Sequence, residues 1–273
     1  MKLSEAVKIL ADSGIEDSKR EARSIFKHFG NFSDSALLLN DPDTDSQEVV
    51  NAILKRAERY PLQYIFGSVD FYKESYKVSE ACLIPRSDTE ILVEEVIKRL
   101  PESESFIDIC TGSGCIALST LNNTRGTRAI AVDISEAALD VAKENAENLG
   151  LSERVTFICA DALSAPLCED VYAVVSNPPY VTQRAYRDLE KEIFHEPSIA
   201  FLGGEDGLVF YKRLIPLYKN VIKESGFIAF EIGYDQGESL KELAEQNRMN
   251  AEIIKDYGGN CRVAVLTRKD TEN

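Results

Sequence analysis

The sequence predicts an α/β protein with a mostly parallel sheet of seven strands. Beyond about residue 100, short apolar runs alternate with helical periodicity, the pattern of a parallel sheet with helices on both faces. The last two runs are separated only by residues 256–260, too few for a parallel crossover, so one antiparallel strand is expected at the end of an otherwise parallel sheet. The predicted strands are 105–109, 128–133, 154–159, 171–176, 226–232, 251–255 and 261–267.

The first 75 residues lack this alternation. Apolar residues recur at helical spacings up to about residue 60, so short helices are expected there. Residues 59–67 break the pattern, and apolar alternation beyond them predicts a β-hairpin. We therefore divide the chain into a small helical domain, 1–75, and a second domain, 76–273, with the hairpin linker at about 66–82.

A helix is expected before the first strand of the sheet. Ser87 and Glu90 have the spacing of a capping box, in which each side chain binds the other residue's backbone N–H. The helix that they would start runs to Leu100 and is closed by Pro101.

Composition excludes several classes of protein. The 31 basic and 46 acidic residues give a formal net charge of −15, a poor match for a phosphate backbone, so no direct nucleic-acid partner is expected. Residues 1–10 lack the apolar core of a signal peptide, and no later run is long enough to span a bilayer. A cytoplasmic protein without membrane contact is expected.

Neither the cysteines nor the histidines indicate a metal site. The six cysteines have no Cys-x-x-Cys spacing and lie mostly in apolar runs, as reduced core residues do. His28 and His195 are the only histidines and fit no metal-ligand spacing. No metal is therefore expected.

One stretch joins a buried strand to a rigid polar end. The run 171–175 is typical of a strand buried on both faces, and two prolines without N–H groups end it. Backbone carbonyls there and the amide of Asn177 can accept the hydrogens of an NH2 group, while Tyr180 offers a flat face to a planar amide or base. A stiff turn explains the tetrapeptide alone equally well. The candidate catalytic residues are Asn177, Pro178, Pro179 and Tyr180.

A strand, a glycine-containing loop and a helix follow one another at 105–118. Such units bring backbone close to a nucleotide-like ligand. The loop lacks the Gly-Lys-Ser/Thr of a phosphate loop and the third glycine of the dinucleotide fingerprint, so the pattern leaves several ligands open.

The next two strands also end in polar residues. Asp133 ends the second strand, where such sheets hydrogen-bond a ribose diol, and Asp161 follows the third, where an adenine edge would lie. Asp133 could instead cap a helix at about 136–149. Four consecutive strand ends with polar groups nevertheless favour one crevice at the carboxyl edge of the sheet.

This combination resembles class I S-adenosylmethionine-dependent methyltransferases, and more closely the PrmC/HemK family, which methylates a glutamine amide in peptide chain release factors. The Asn-Pro-Pro-Tyr motif is shared by many amino-methyltransferases, whereas residues 84–86 and the Glu-Pro and Gly-Gly block are more particular to this family. The matching segments are 59–67, 83–86 with 88–90, 108–118, Asp133, 177–180, Glu196-Pro197, Gly203-Gly204 with 206–208, 231–233, and Asp256 with Gly259 and Arg262.

The resemblance implies a Rossmann-like methyltransferase domain, a linking hairpin and an N-terminal helical domain that recognises the substrate. It implies S-adenosylmethionine as cofactor, with S-adenosylhomocysteine as product. The methyl group would go to the N5 amide nitrogen of the glutamine in the Gly-Gly-Gln motif of release factors, modulating translation termination. A release factor is then the protein partner, and a monomer is expected.

Carried over to this sequence, the resemblance assigns the glycine loop to the methionine part of the cofactor and Asp133 to the ribose hydroxyls. Asp161 and Ala162 would flank the adenine, and 177–180 would hold the glutamine amide. The candidate cofactor-binding residues are Asp108, Cys110, Thr111, Gly112, Ser113, Gly114, Asp133, Asp161, Ala162 and Asn177.

Two residues depart from the family pattern. Cys110 stands where the loop usually has glycine; it fits if the local φ is negative, whereas a positive φ would cost about 1 kcal/mol or more. His195 replaces the usual aromatic residue before Glu-Pro, and we interpret it as a surface residue in preference to one that lines the substrate groove.

Two other functions use the same residues. An amino-methyltransferase acting on an exocyclic base amine of RNA or DNA would hold its base with the same tetrapeptide, although the acidic composition and the absence of a basic arm count against it. A cofactor-binding accessory protein without catalysis is the second alternative, and the intact tetrapeptide counts against that.

Overall fold

The structure, a computed structural model, describes residues 1–269, and the last residues of the predicted second domain, 270–273, lie outside the described part. The chain forms two units. The first comprises Met1–Ser68 with Glu190–His195, and the second begins at Val69 and resumes at Glu196 after Leu189. A short segment of the later chain is thus grouped with the N-terminal unit.

The first unit is helical, as predicted. Leu10, Ile25, Phe26 and Ile53 form its fully buried centre, because each lies on the apolar face of an amphipathic helix. Its helices are α1 (Leu3–Asp12), α2 (Ser18–Gly30), α3 (Asp34–Leu39), α4 (Gln47–Ala57) and α5 (Leu62–Phe66).

Helix α5 corrects the expectation that 59–67 is non-helical throughout. The helical pattern does break at Arg59, whose φ is +66°, but a new helix starts directly after Pro61. Proline is favoured at a helix start because it lacks the N–H that would go unpaired there. Gly67, with φ +73°, ends the helix in the left-handed region.

Arg56 organises a buried ion cluster in the first unit. Its side chain is 7% exposed and contacts Glu21 and Glu192, the latter with Nη1 2.9 Å from Oε1. Arg59 binds the other oxygen of Glu192 at 2.7 Å. His195, at the end of the same segment, is exposed, as predicted, and its ring packs edge-on against Tyr60. The segment Glu190–His195 is therefore held by two arginines of the N-terminal unit.

The second unit contains the predicted hairpin, β1 (Ser68–Phe71) and β2 (Glu74–Lys77), and the predicted seven-stranded sheet. The spatial order of that sheet is β5-β4-β3-β6-β7-β9-β8. Its strands are β3 (Ser105–Ile109), β4 (Arg128–Asp133), β5 (Val155–Cys159), β6 (Val171–Ser176), β7 (Ile222–Glu231), β8 (Met249–Lys255) and β9 (Cys261–Arg268).

One strand is antiparallel, as predicted, but it is not at the edge of the sheet. β9 lies between β7 and β8 and is antiparallel to both. The crossover after β7 carries the chain past one strand position, and the final hairpin then fills the gap. β7 also starts at Ile222, earlier than predicted, because the polar run 223–225 hides its first residues in the sequence.

Helices cover both faces of the sheet. Leu92 and Leu118 pack with Phe106 on one face, whereas Leu214 and Leu240 share the other face's core with Ile107, because successive residues of a strand point to opposite sides. The helices of this unit are α6 (Thr89–Arg99), α7 (Cys115–Asn122), α8 (Glu136–Asn148), α9 (Gln183–Tyr186), α10 (Val209–Tyr218) and α11 (Gly237–Gln246), with 3-10 turns at Ser152–Arg154 and Ser198–Ala200.

The capping box predicted for α6 is wrong. Asp88 is the residue that precedes the helix, and no side chain caps it. The Glu90 carboxylate instead accepts a hydrogen bond from the backbone N–H of Tyr72, at 2.9 Å. The β-hairpin binds the Glu90 side chain that the capping box would have used. No local sequence pattern predicts this contact between distant residues.

Asn145 of α8 connects the hairpin to the glycine loop. Its side-chain oxygen accepts from the Lys77 N–H at 2.7 Å, and its NH2 group donates to the carbonyls of Lys77 and Ser113 at 3.0 and 2.9 Å. The residue is 2% exposed. A single buried amide thus sets the position of the loop that borders the candidate site.

The prediction that the cysteines are core residues holds only in part. Cys82 and Cys115 are buried, but Cys159 is exposed because it ends β5 at the open edge of the sheet. Among residues 1–269, no cluster of three or more His, Cys, Asp or Glu side chains forms a candidate metal site. No helix within the same range is long and apolar enough to cross a membrane.

Candidate active site

A cavity of about 290 Å³ lies at the carboxyl ends of β3 to β6. Cys110, Asp133, Asp161 and Asn177 all line it, one from each of the four strand ends that the sequence singled out. They meet because parallel strands direct their carboxyl ends to the same edge of a sheet. Its volume is at the lower end of the range, about 300–1,000 Å³, of small-molecule pockets.

The rest of the cavity wall is mainly apolar. Its apolar lining includes Leu83, Ala162, Leu163, Ile199 and Phe210. A flat, weakly polar group can bury its faces against such side chains. The combination of apolar walls with a few convergent polar groups is typical of a small-molecule site.

Asp108 does not line the cavity, although it is one of the predicted cofactor-binding residues. It is fully buried, and its Oδ2 accepts from the Thr111 hydroxyl at 2.6 Å and from the Ala117 N–H at 3.2 Å. Burial raises the pKa of Asp108 to about 7. Its role in the structure is to tie the glycine loop to the first turn of α7.

The predicted site residues fall into two groups, those that line the cavity and those that do not. Gly112, Ala162 and Pro179 line the cavity, as do Cys110, Asp133, Asp161 and Asn177. The predicted residues that do not line it are Asp108, Thr111, Ser113, Gly114, Pro178 and Tyr180. The structure therefore brings about half of the predicted residues together at the cavity.

Asp133 joins the glycine loop to the start of α8. One carboxylate oxygen accepts from the Gly112 N–H and the other from the Ser135 N–H, both at 2.9 Å. The alternative that Asp133 caps α8 is wrong, because the Ser135 side chain fills that position and accepts from the Ala138 N–H. Each oxygen of Asp133 retains a lone pair for a hydroxyl group in the cavity.

Asp161 lines the cavity and is exposed. Its carboxylate accepts from the Ser164 hydroxyl at 2.8 Å and from the Leu163 N–H at 2.9 Å. These hydrogen bonds lower the pKa of Asp161, the Ser164 hydroxyl contributing most. Asp161 thus stays ionised and shapes the turn that brings Ala162 and Leu163 to the wall.

Cys110 has a φ of +60°. Of the two backbone conformations expected for this residue, negative or positive φ, the strained positive one is therefore present. Gly112 and Gly114 also have positive φ, +57° and +82°. At Gly112 a side chain would meet no atom within 4 Å, so the bare backbone of the loop borders open space in the cavity. The loop therefore has the backbone conformation that glycine favours, although Cys110 carries a Cβ.

Asn177 is held by a chain of buried hydrogen bonds. Its NH2 group donates to the Thr89 hydroxyl at 3.3 Å, and that hydroxyl donates to Glu231 Oε2 at 2.6 Å. The Tyr180 hydroxyl donates to the other oxygen of Glu231 at 3.1 Å. Burial raises the pKa of Glu231, and the two hydroxyl donors and Arg262 lower it.

The backbone of the tetrapeptide is packed against two glycines. A Cβ on Gly203 would lie 2.6 Å from the Pro179 carbonyl oxygen, and one on Gly207 would lie 2.3 Å from the Tyr180 carbonyl oxygen. Gln236 adds to this contact, since its NH2 group donates to the carbonyls of Tyr180 and Gly207. These short distances leave no room for a side chain and explain why positions 203 and 207 are glycine.

Glu196 assembles another part of the cavity wall. Its side chain is 1% exposed; one oxygen accepts from the Ile84 N–H at 2.9 Å and the other is paired with Arg86. This interaction holds residues 83–86 beside Pro197, so that Leu83 and Pro197 both line the cavity.

Sequence reasoning assigned no role to Thr89, Glu231 or Gln236. The first two lie in segments that match the family, 88–90 and 231–233, which was the only available signal. Their contacts span up to 142 positions in the chain, so neither periodicity nor motif spacing could have paired them.

Comparison with known proteins adds two matches to family models. The Methyltransferase small domain matches residues 87–224, and the PrmC N-terminal domain matches residues 2–67. The chain is 38% identical over 276 residues to the release factor glutamine methyltransferase of Moorella thermoacetica, with 98% of each chain covered. It is 36% identical over 259 residues to that of Thermodesulfovibrio yellowstonii, covering 91% of this chain and 92% of the relative.

Among solved structures, the ribosomal protein L11 methylase of Lactobacillus delbrueckii subsp. bulgaricus has a TM-score of 0.51 with this chain. The two are 19% identical, and the match covers 70% of this chain and 84% of the other. At this identity the likeness concerns the fold alone.

The positive φ at Cys110 leads to a prediction about stability. Cys110→Gly should be more stable than Cys110→Ala by about 1 kcal/mol, because both remove the thiol and only alanine keeps a strained Cβ. Urea unfolding of the two variants measures the difference. Equal stabilities, or a more stable alanine variant, would contradict the left-handed conformation at this position.

Proposed function

The chain belongs to the release factor glutamine methyltransferase family, and we propose that residues 177–180 hold the glutamine amide that receives the methyl group. We propose that the enzyme transfers a methyl group from S-adenosylmethionine to the side-chain amide nitrogen of the Gly-Gly-Gln glutamine in peptide chain release factors, which the names of its relatives support. The observation that carries the proposal for the site is the orientation of Asn177. Its NH2 group is bound to Thr89, which leaves its oxygen as an acceptor in the cavity.

The cavity residues fit S-adenosylmethionine. The exposed backbone at Gly112 leaves open space where a Cβ would stand, so residues 110–114 would hold the methionine part. The free lone pairs of Asp133 suit ribose hydroxyls, and Ala162 with Asp161 would flank the adenine. When bound, the cofactor supplies an electrophilic methyl group on a sulfonium.

The chain must position a poor nucleophile. A carboxamide nitrogen is weak because its lone pair is delocalised into the carbonyl. We propose that the Asn177 side-chain oxygen and the Pro178 carbonyl accept the two amide hydrogens, so that the nitrogen faces the methyl group. Ring contact with Tyr180 would set the plane of the amide. Such positioning is worth several kcal/mol, up to about 7–11 in ideal cases.

In this scheme, no dedicated base is needed to remove the proton. Methylation at nitrogen turns it into a much stronger proton donor, so the proton is released to solvent after the new N–C bond has formed. Glu231, the nearest buried carboxylate in the network, already accepts hydrogen bonds on both oxygens. We therefore assign it no proton-transfer step.

The alternatives weighed from the sequence lose support. The full-length relatives are named for release factors, and the net charge of −15 is unfavourable for a nucleic-acid substrate. We propose that the protein has no direct nucleic-acid partner, acts as a monomer and works in the cytoplasm, where release factors function.

We also propose that the N-terminal domain, predicted as 1–75, binds a surface of the release factor away from the glutamine. The match to the PrmC N-terminal domain over residues 2–67 supports a family-specific role. Leu38 and Leu39, at the end of α3, are 62% and 82% exposed. Large exposed apolar side chains are typical of protein-binding surfaces.

The substrate assignment is tested by methyl transfer from labelled S-adenosylmethionine. Purified release factor should be labelled, whereas a release factor with the Gly-Gly-Gln glutamine changed to alanine, bulk RNA and bulk DNA should not. Label on nucleic acid would show instead that residues 177–180 hold a base.

The role of Asn177 is tested by Asn177→Ala. Loss of the amide acceptor should lower kcat by about 10²–10³-fold, the effect of removing one preorganised hydrogen-bonding group. The unfolding midpoint should change little, which separates a loss of catalysis from a loss of the fold. A variant with unchanged kcat would rule out the proposed amide-binding role.

The role of the N-terminal domain is tested by Leu39→Asp. The substitution should raise KM for release factor about tenfold, the size of a binding hot spot, without changing kcat or cofactor affinity. Leu54→Asp is the matched control, because Leu54 is also exposed, at 48%, but lies on α4. Equal KM values for Leu39→Asp and the unchanged protein would place the binding surface elsewhere.

A further inference from the structure

We infer that Thr89 and Glu231 are positioning residues, which determine that the oxygen of the Asn177 amide, and not its NH2 group, faces the substrate. The inference rests on the proposed role of Asn177 in binding the glutamine amide. Neither residue lines the cavity, so both would act through Asn177 and Tyr180.

The direction of the hydrogen bonds carries the argument. The Thr89 hydroxyl donates its single hydrogen to Glu231 Oε2, at 2.6 Å. The Thr89 oxygen then offers only lone pairs to Asn177. Only the NH2 end of the amide can meet a lone pair, and the 3.3 Å contact is to that nitrogen. The amide oxygen is consequently the end left for the cavity.

Because its partners are buried, Asn177 is restricted to this orientation. Thr89 and Glu231 are each 2% exposed, so water cannot replace either partner. An amide turned by 180° would place its oxygen against the Thr89 oxygen and leave both oxygens without a hydrogen, which is unfavourable for buried polar groups. It would also present NH2 hydrogens to the substrate's NH2 hydrogens. The network therefore excludes the unproductive orientation.

The same carboxylate also orients the second substrate-binding side chain. The Tyr180 hydroxyl donates to the other oxygen of Glu231 at 3.1 Å, and the Tyr211 hydroxyl holds the Glu231 backbone carbonyl at 2.8 Å. Glu231 ends β7, and Tyr180 follows β6, its parallel neighbour in the sheet. One buried residue thus sets both the acceptor and the aromatic face of the proposed amide site.

Thr89→Val and Thr89→Ser test the inference as a matched pair. Valine has the shape of threonine without the hydroxyl, and serine restores the hydroxyl. Thr89→Val should lower kcat for release factor methylation on the order of tenfold to a hundredfold, as misplacement of a positioned group does. KM and the calorimetric affinity for S-adenosylmethionine should stay within about twofold of the unchanged protein, and serine should restore kcat to within about threefold.

Glu231→Gln provides a second test if Thr89→Val does not fold. Glutamine can turn its own NH2 group toward Thr89 and donate to the Thr89 oxygen. The Thr89 hydroxyl would then donate to the Asn177 oxygen, so that the Asn177 amide is turned by 180°. We expect kcat to fall about tenfold or more with cofactor affinity retained. The unfolding midpoint of each variant identifies a loss of activity that comes from unfolding.

Three outcomes are decisive. A kcat within about twofold of the unchanged protein in a folded Thr89→Val or Glu231→Gln variant overturns the inference. So does a joint fall of kcat and cofactor affinity that serine does not restore, since that is a structural effect. Failure of the unchanged protein to methylate release factor refutes the proposed function itself, and the same assay records it separately.

Discussion

Hydrogen-bond satisfaction at the carboxyl edge of the sheet is the constraint on which the site depends. A polar group buried there without a partner costs about 1–3 kcal/mol, which favours partners close by. Oδ2 of Asp108 is paired with Thr111, whereas its Oδ1 has no partner in the described part of the chain; both oxygens of Glu231 are paired, with Thr89 and Tyr180. These pairings do more than remove a penalty. They determine where the loop, the amide and the aromatic ring stand.

Close backbone approach is the second requirement of the site. The Asn-Pro-Pro-Tyr segment has few donors of its own, so its carbonyls are packed and bound from outside. Gly203 and Gly207 approach within distances that leave no room for a side chain, and Gln236 supplies hydrogens to the Tyr180 and Gly207 carbonyls. Rigidity of the proposed amide site therefore comes from residues outside the motif, which explains why the motif alone is an ambiguous signal.

The cavity combines two kinds of support. The glycine loop is held by Asp108 and by Asn145, while Asp133 bridges it to α8. The segment with Leu83 is held by the Glu196 contacts with Ile84 and Arg86. Most of the charged residues of the site thus bind the protein itself, and only a few acceptor positions remain for a ligand. A site built in this way is preorganised before its ligands arrive.

The sequence by itself determined the fold class, the seven strands, the helical N-terminal region and the four strand ends that meet at the cavity. These follow from local periodicity and from the geometry of parallel sheets, which bring strand ends together whatever the rest of the chain does. Tertiary structure alone decided the position of β9 inside the sheet, the pairing of Glu90 with the hairpin, the positive φ of Cys110 and the network from Asn177 to Glu231. Each of these depends on contacts between distant segments, which compete with local preferences and leave no periodic trace in the sequence.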